Sequence, residues 1–301
     1  MYFGKVFFML ILICDAFDKS LPNRLKEFGE VTDDIARLPE AEIALVRSKT
    51  KCTKEWIDKA TNLKMIIRGG VGMDNVDIEY AKEKNIIAVN TPEASSIAVA
   101  ELAFALMIAM PNQIIKGHEG MIQGKWLKKE CKRTELYQKT LGLIGSGRIG
   151  RELAIRAKAF GMKVIAYDII AGANADVVEQ KTFDEVLSQS DYISLHVPKT
   201  PSTIGMICKE SIAKMKDGVY LINTARGACV VEEDIVEALK SGKIAGYGND
   251  VWASDPPEST PLTSAPNVVL TPHIGASSDE NLLRIGDIIV EKIKTFVAEK
   301  K

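Results

Sequence analysis

The sequence predicts an α/β protein made of two doubly wound parallel-sheet domains. Apolar runs of strand length alternate with helix-period segments almost to the end of the chain, a pattern that specifies parallel sheets covered by helices on both faces. The alternation occurs twice, once before a glycine-rich turn at residues 145–150 and once from that turn onward. The first half predicts strands at 6–14, 43–47, 65–68 and 86–89, with helices at 22–28, 54–60 and 75–84. The second predicts strands at 140–144, 162–167, 192–196, 219–223, 246–251 and 268–270, with helices at 151–160, 183–188 and 232–241. A long apolar helix, 96–110, broken at Pro111 and continued towards Trp126, joins the two halves. An amphipathic segment at 280–298 closes the chain and is placed to cross back over the first domain.

Composition narrows the classes of function. A chain of 301 residues is long enough for two domains, and a formal net charge of -1 gives no reason to expect nucleic acid or an anionic membrane as partner. The five cysteines are scattered, which argues for a reducing compartment without disulfides or a thiolate zinc site, so no metal is expected. The N-terminal apolar run is too short to span a bilayer. Asp15-Ala16-Phe17-Asp18 follows it instead of a small-residue cleavage pattern, so it reads as a buried first strand. The expected location is the cytoplasm.

Gly145-Ser146-Gly147-Arg148-Ile149-Gly150 lies between a strand-like and a helix-like run, and Asp168 closes the next apolar run. Gly145 permits a tight turn, Gly147 lets backbone amides approach a pyrophosphate, and Gly150 allows close packing of helix on strand. The helix N-terminus supplies oriented N–H groups and partial positive charge. Asp168 can accept hydrogen bonds from ribose hydroxyls and would repel a 2′-phosphate, and Ile169-Ile170 offers no compensating cation. The expected cofactor is NAD.

Few residues are left to carry proton chemistry. Of three histidines, His118 lies in a polar helical stretch and reads as a surface residue. His196 ends a strand and suits a structural or cofactor-contact role. His273 follows a short strand and the Thr271-Pro272 turn. Arg226, after the run 219–223, is either a solvated side chain or a group that pairs with a carboxylate and polarises a carbonyl. Asp250 and Asp255 follow another strand, and an arginine, a carboxylate and a histidine at one rim form a hydride-transfer site. In the first domain Arg68-Gly69-Gly70-Val71-Gly72 is either a plain turn or an anion-binding nest, and Arg47 ends a neighbouring strand. Lys125, Lys128, Lys129, Lys132 and Arg133 surround Trp126, as a solvated face or a phosphate-recruiting patch.

Together these stretches resemble the D-isomer-specific 2-hydroxyacid dehydrogenase family. The resemblance rests on the run 68–77, Asn90-Thr91-Pro92, Gly124-Lys125-Trp126, Gly145 to Gly150, Asn223 to Gly227, Asp250-Val251-Trp252 and Thr271 to Ser277, all in family order. It implies that Arg226 binds the substrate carboxylate and carbonyl, that His273 is the general acid/base, and that Asp255 pairs with it. Glutamate is usual at that position, so the acid here is one methylene shorter. It implies Arg148, Ile149, Asp168, Val197, Thr224, Ala225, Asp250, Gly275 and Ala276 around the dinucleotide. Val71 and Val197 stand where relatives often have threonine. It further implies Arg47, Arg68, Gly70, Val71, Gly72, Lys129 and Arg133 as substrate contacts, for a phosphorylated 2-hydroxy acid, 3-phospho-D-glycerate. A glyoxylate or hydroxypyruvate reductase is the alternative, and an NAD-sensing corepressor-like scaffold a third reading. The implied architecture is a Rossmann NAD-binding domain, 96–276, inserted into a flavodoxin-like substrate domain, 1–95 and 277–301. The arm 96–130 would make a homodimer. With the chain ending at Lys301, no serine-sensing regulatory domain is expected.

Overall fold

Parallel pairing gathers the strands into two sheets in the computed structural model, which describes residues 9–299. The first holds β1 (Met9–Ile13), β2 (Gly29–Thr32), β3 (Ile43–Val46), β4 (Met65–Arg68) and β5 (Ile87–Asn90), in the order β2-β1-β3-β4-β5. The second holds β6 (Thr140–Ile144), β7 (Lys163–Tyr167), β8 (Glu179–Gln180), β9 (Tyr192–Leu195), β10 (Val219–Asn223), β11 (Ile244–Asn249) and β12 (Val268–Leu270). Their order is β12-β11-β10-β9-β6-β7-β8. The described residues form two compact units: one from the stretches up to Ser95 and from Ala276 onward, the other Ser96–Gly275.

Both sheets are covered on both faces, which is why their strands read as unbroken apolar runs. Side chains alternate across β1, with Leu10 and Leu12 entering one core and Met9 and Ile11 the other. The helix Asp279–Glu299 fills the second of these with Ile285, Ile289, Ile293 and Phe296, one stripe at helical spacing. Each of the fully buried isoleucines contributes about 1.5–3 kcal/mol. In the other unit the helices Ser96–Ala109 and Arg148–Ala159 pack Ala100, Ala103, Leu153, Ala154 and Ala157 into one core. Among the described residues no single helix is long and apolar enough to cross a membrane. Ser96–Ala109 and Ile114–Ile122 meet at a 66° bend.

Several boundaries differ from the sequence expectation, each for a local reason. Residues 6–8 of the first predicted strand lie outside the described residues. β11 runs Ile244–Asn249 rather than 246–251, because the chain turns away at Asp250. The helix expected over 75–84 begins at Ile78, where the Asp77 side chain accepts the Tyr80 N–H at 3.0 Å. Asn75 is drawn off to the Arg47 and Thr50 carbonyls, each at 2.6 Å. The helix expected from Arg151 starts one turn earlier, at Arg148, because Gly147 is its N-cap. Two strands were not expected at all, β2 and β8. Both lie at sheet edges, and a polar edge strand carries no apolar signal.

Gly29 opens β2 where a Cβ would lie 2.1 Å from the Met9 carbonyl oxygen, so backbone must move to admit one. Gly29→Ala is expected to destabilise this unit by about 1–3 kcal/mol. Thermal or urea melting of the variant checks this, and an unchanged midpoint would show that the edge yields freely.

Candidate active site

The glycine-rich turn is built as its residue types require. Gly145 has φ +92°, and a Cβ there would sit 2.6 Å from the His196 carbonyl oxygen, so both conformation and space demand glycine. At Gly150 a Cβ would meet the Gly145 carbonyl at 2.6 Å, which makes this the close approach of helix to strand. Gly147 caps the helix with no side chain over its first turn, and among the described residues nothing lies within 4 Å of where its Cβ would stand. Arg148 and Ile149 open the helix, and Ile149 packs partly against the core. Val197 lies beside Gly145.

Asp168 follows β7 directly. Its Oδ2 accepts the Ser146 N–H at 2.7 Å and its Oδ1 accepts the Ile170 N–H at 2.9 Å, which ties the acid to the turn. Ile169 and Ile170 are 89% and 66% exposed beside it, with no cation on that run. On the neighbouring strand ends, Thr224 Oγ1 and His196 Nδ1 are buried without a hydrogen-bond partner among the described residues. Such atoms call for a ligand or water. An open glycine turn on a helix N-terminus, a carboxylate one strand away and orphaned polar atoms alongside fit a dinucleotide with an unphosphorylated ribose.

The next three strand ends carry the arginine, the aspartates and the histidine. After β10 the Asn223 side chain accepts the Ala225 N–H and donates to the Arg226 carbonyl, both at 3.0 Å. That brace holds Arg226 in an extended conformation, half-buried, with Nη1 donating to the Ala225 carbonyl at 2.6 Å. After β12 the turn carries His273 at φ +54°. This left-handed conformation costs an L-residue on the order of 1–2 kcal/mol. His273 Nδ1 donates to Asp255 Oδ2, and the two side chains are 33% and 34% exposed. The shorter acid therefore reaches the imidazole. Because a carboxylate only accepts, Nδ1 carries the proton and Nε2 is left to exchange one.

His196 is different. Its Nε2 meets Ser194 Oγ at 2.9 Å, and burial pulls the imidazole down to about 3, which keeps it neutral. Its place is structural or beside the cofactor, not proton transfer at neutral pH.

In the other unit, Arg68 ends β4 and its guanidinium lies over Gly70, where a Cβ would collide with Nη1. The Gly70 N–H donates to Thr91 Oγ1 at 2.8 Å and the Asn90 amide donates to the Val71 carbonyl, so the turn through Gly72 is braced from the end of β5. Arg47 is engaged by backbone: Nη1 donates to the Ala16 carbonyl at 3.3 Å and Nη2 to the Ala276 carbonyl at 3.1 Å. Burial lowers its pKa, opposed by the charge of Asp15. Lys129 is exposed, and Arg133 Nε donates to Asn112 Oδ1 at 2.7 Å.

Residues 104–275 match the model of the D-isomer specific 2-hydroxyacid dehydrogenase, NAD binding domain. The chain belongs to that family. Its cofactor is NAD. Hydroxypyruvate reductase of Thermotoga maritima is 48% identical over 291 residues, 93% of this chain and 95% of that one. D-3-phosphoglycerate dehydrogenase of Methanocaldococcus jannaschii is 42% identical over 298 residues, 94% of this chain but 56% of that protein. The chain thus spans little more than half of that relative. The solved D-lactate dehydrogenase of Aquifex aeolicus, complexed with NAD and lactic acid, superposes with a TM-score of 0.85. It is 33% identical, with 96% of each chain covered.

Within this family fold, sequence reasoning missed some of the bracing. Asp15, just after β1, accepts the Arg47 N–H at 2.5 Å and the Thr50 hydroxyl at 2.8 Å. Asn281 donates to the Ala276 carbonyl at 2.8 Å. Trp252 Nε1 donates to the Thr271 carbonyl at 3.0 Å. Asp15 could have been noticed as an acid at a strand end, whereas the Trp252 contact spans 19 residues and Asn281 also reaches Ser95 Oγ, 186 positions away, so no local pattern reveals them.

Two outcomes follow. Gly145→Ala should cost most of the NADH affinity, read by fluorescence titration; retention of affinity would show that the turn is not the cradle. His196 takes a proton near pH 6.5 when unfolded and only near 3 when folded. Between those values the unfolded state holds more protons, so stability rises with pH. Its contribution is complete above about pH 6.5 and falls by about 2 kcal/mol by pH 5. Urea midpoints of wild type and His196→Gln should converge over that range, and parallel curves would count against a neutral buried imidazole.

Proposed function

We propose that the chain oxidises 3-phospho-D-glycerate to 3-phosphohydroxypyruvate, within the NAD-dependent D-2-hydroxyacid dehydrogenase activity of its family. The observation that carries the chemistry is the His273–Asp255 pair, with His273 three residues past the end of β12, Asp255 six past the end of β11 and Arg226 three past the end of β10. Asp255 holds Nδ1–H, which turns Nε2 into the base that takes the substrate hydroxyl proton. Arg226 pairs with the substrate carboxylate and polarises the carbonyl oxygen as it forms. The dinucleotide, held by the Gly145–Gly150 turn and Asp168, would supply the acceptor for the hydride that leaves the hydroxyl-bearing carbon. In the reverse direction His273 Nε2 returns the proton to oxygen.

The phosphate assignment is supported by the cations Arg47 and Arg68, by Lys129 and Arg133, and by the 42% identity to the Methanocaldococcus jannaschii enzyme. A second reading, reduction of hydroxypyruvate or glyoxylate, is favoured by the 48% identity to the Thermotoga maritima reductase. It is favoured too by Arg47, whose Nη atoms both donate to backbone carbonyls. We further propose a homodimer through the segment 96–130, where Ile114, Ile115, Met121, Ile122 and Trp126 are exposed.

Initial rates with NADH on phosphohydroxypyruvate, hydroxypyruvate and glyoxylate separate the two readings. The phosphorylated acid should lead in kcat/KM by at least about tenfold, a difference of 1.4 kcal/mol; parity or a reversed order would remove the phosphate assignment. His273→Gln should lower kcat by about 10²–10⁴-fold. Arg226→Ala should lower kcat/KM with a rise in KM for the oxoacid. Turnover untouched in both variants would refute the mechanism.

A further inference from the structure

We infer that Asp250 is the positioning residue that sets the backbone of the His273 loop, in addition to any contact it makes with the dinucleotide. The inference rests on the catalytic reading of His273. Asp250 follows β11 and is 2% exposed. Its Oδ1 accepts the Thr271 hydroxyl at 2.6 Å and the Ile274 N–H at 2.8 Å, and its Oδ2 accepts the Gly275 N–H at 2.9 Å. One carboxylate therefore grips the chain on both sides of His273. The Asp250 N–H donates to the Asn223 carbonyl at 3.0 Å, so the grip is anchored to the end of β10.

The loop needs such a grip. His273 occupies the left-handed region, which a non-glycine residue holds only when its surroundings impose it. Pro272 fixes φ on one side, and at Gly275 a Cβ would stand 3.0 Å from Asp250 Oδ2, so glycine is what lets the amide close on the carboxylate. Trp252 Nε1 also donates to the Thr271 carbonyl at 3.0 Å. Three donors converging on one acid set the direction in which the His273 Cα–Cβ bond leaves the loop. That direction puts Nδ1 within reach of Asp255, an acid on a different loop.

Asparagine at 250 keeps the shape but turns one acceptor into a donor that faces another donor. Asp250→Asn should therefore release one side of the loop. Thr271→Val, which removes only one of the three donors, should act in the same direction with smaller effect. The readout is the His273 ring resonance in the protein without added nucleotide, where only three histidines contribute and His273→Gln makes the assignment. In Asp255→Ala the resonance marks the broken pair. In Asp250→Asn it is expected to move to that position, and in Thr271→Val part of the way, with kcat lowered by about 10²-fold in the first. If the resonance stays at its wild-type position in both variants while NADH affinity falls, Asp250 serves the cofactor alone and the inference is overturned. If Asp250→Asn does not fold, Thr271→Val decides by the same resonance. Full turnover in His273→Gln would defeat the catalytic reading and leave the resonance test standing.

Discussion

The position of β6 governs the larger unit. It pairs in parallel with β9 on one side and β7 on the other, so the chain leaves it in both directions and a crevice must open at its carboxyl end. Because every pair in this sheet is parallel, all the strands end on one rim. That polarity delivers Gly145, Asp168, His196, Arg226, Asp250 and His273, each one to three residues past a strand end, to the same edge. No individual contact could assemble groups so far apart in sequence. The smaller unit repeats the logic with the order β2-β1-β3-β4-β5, whose reversal lies between β1 and β3. There Asp15 and Arg47 meet, and the acid accepts the Arg47 N–H.

Polar side chains, more than apolar ones, shape the loops on that rim. Asn223, Asn249 and Asp250 are all buried, and each bonds to backbone beyond its own strand end. A buried polar group without partners is costly, so these bonds fix one loop conformation rather than merely stabilising several. His273 can then hold a backbone conformation it would not choose alone, and Asp255 can replace a longer acid because its own loop brings it to the imidazole.

Much of the fold was legible because buried parallel strands and their helices advertise themselves by apolar runs and period. The edge strands β2 and β8 did not, since Gly29-Glu30-Val31-Thr32 and Glu179-Gln180 are too polar to form an apolar run, unlike the edges β5 and β12. Two helix starts were misjudged: one is decided by the Asp77 side chain, which caps the helix at Ile78, and the other by Gly147, a residue without a side chain that still serves as N-cap. Among the site residues, the glycine turn and Asp168 were readable from local spacing. The double grip of Asp250 was not, because its partners lie 21 to 25 positions further on. Nor was the engagement of Arg47 by Ala16 and Ala276, which involves residues 31 and 229 positions away.

The sequence alone determined the α/β class, the dinucleotide turn and the family, because each depends on short-range chemistry: which residues tolerate a positive φ, which bury on both faces, which repel a phosphate. The tertiary structure decided which polar side chains hold which loops. Hydrogen bonds between strand ends depend on strand order, and strand order is a property of the packed sheet rather than of any segment within it.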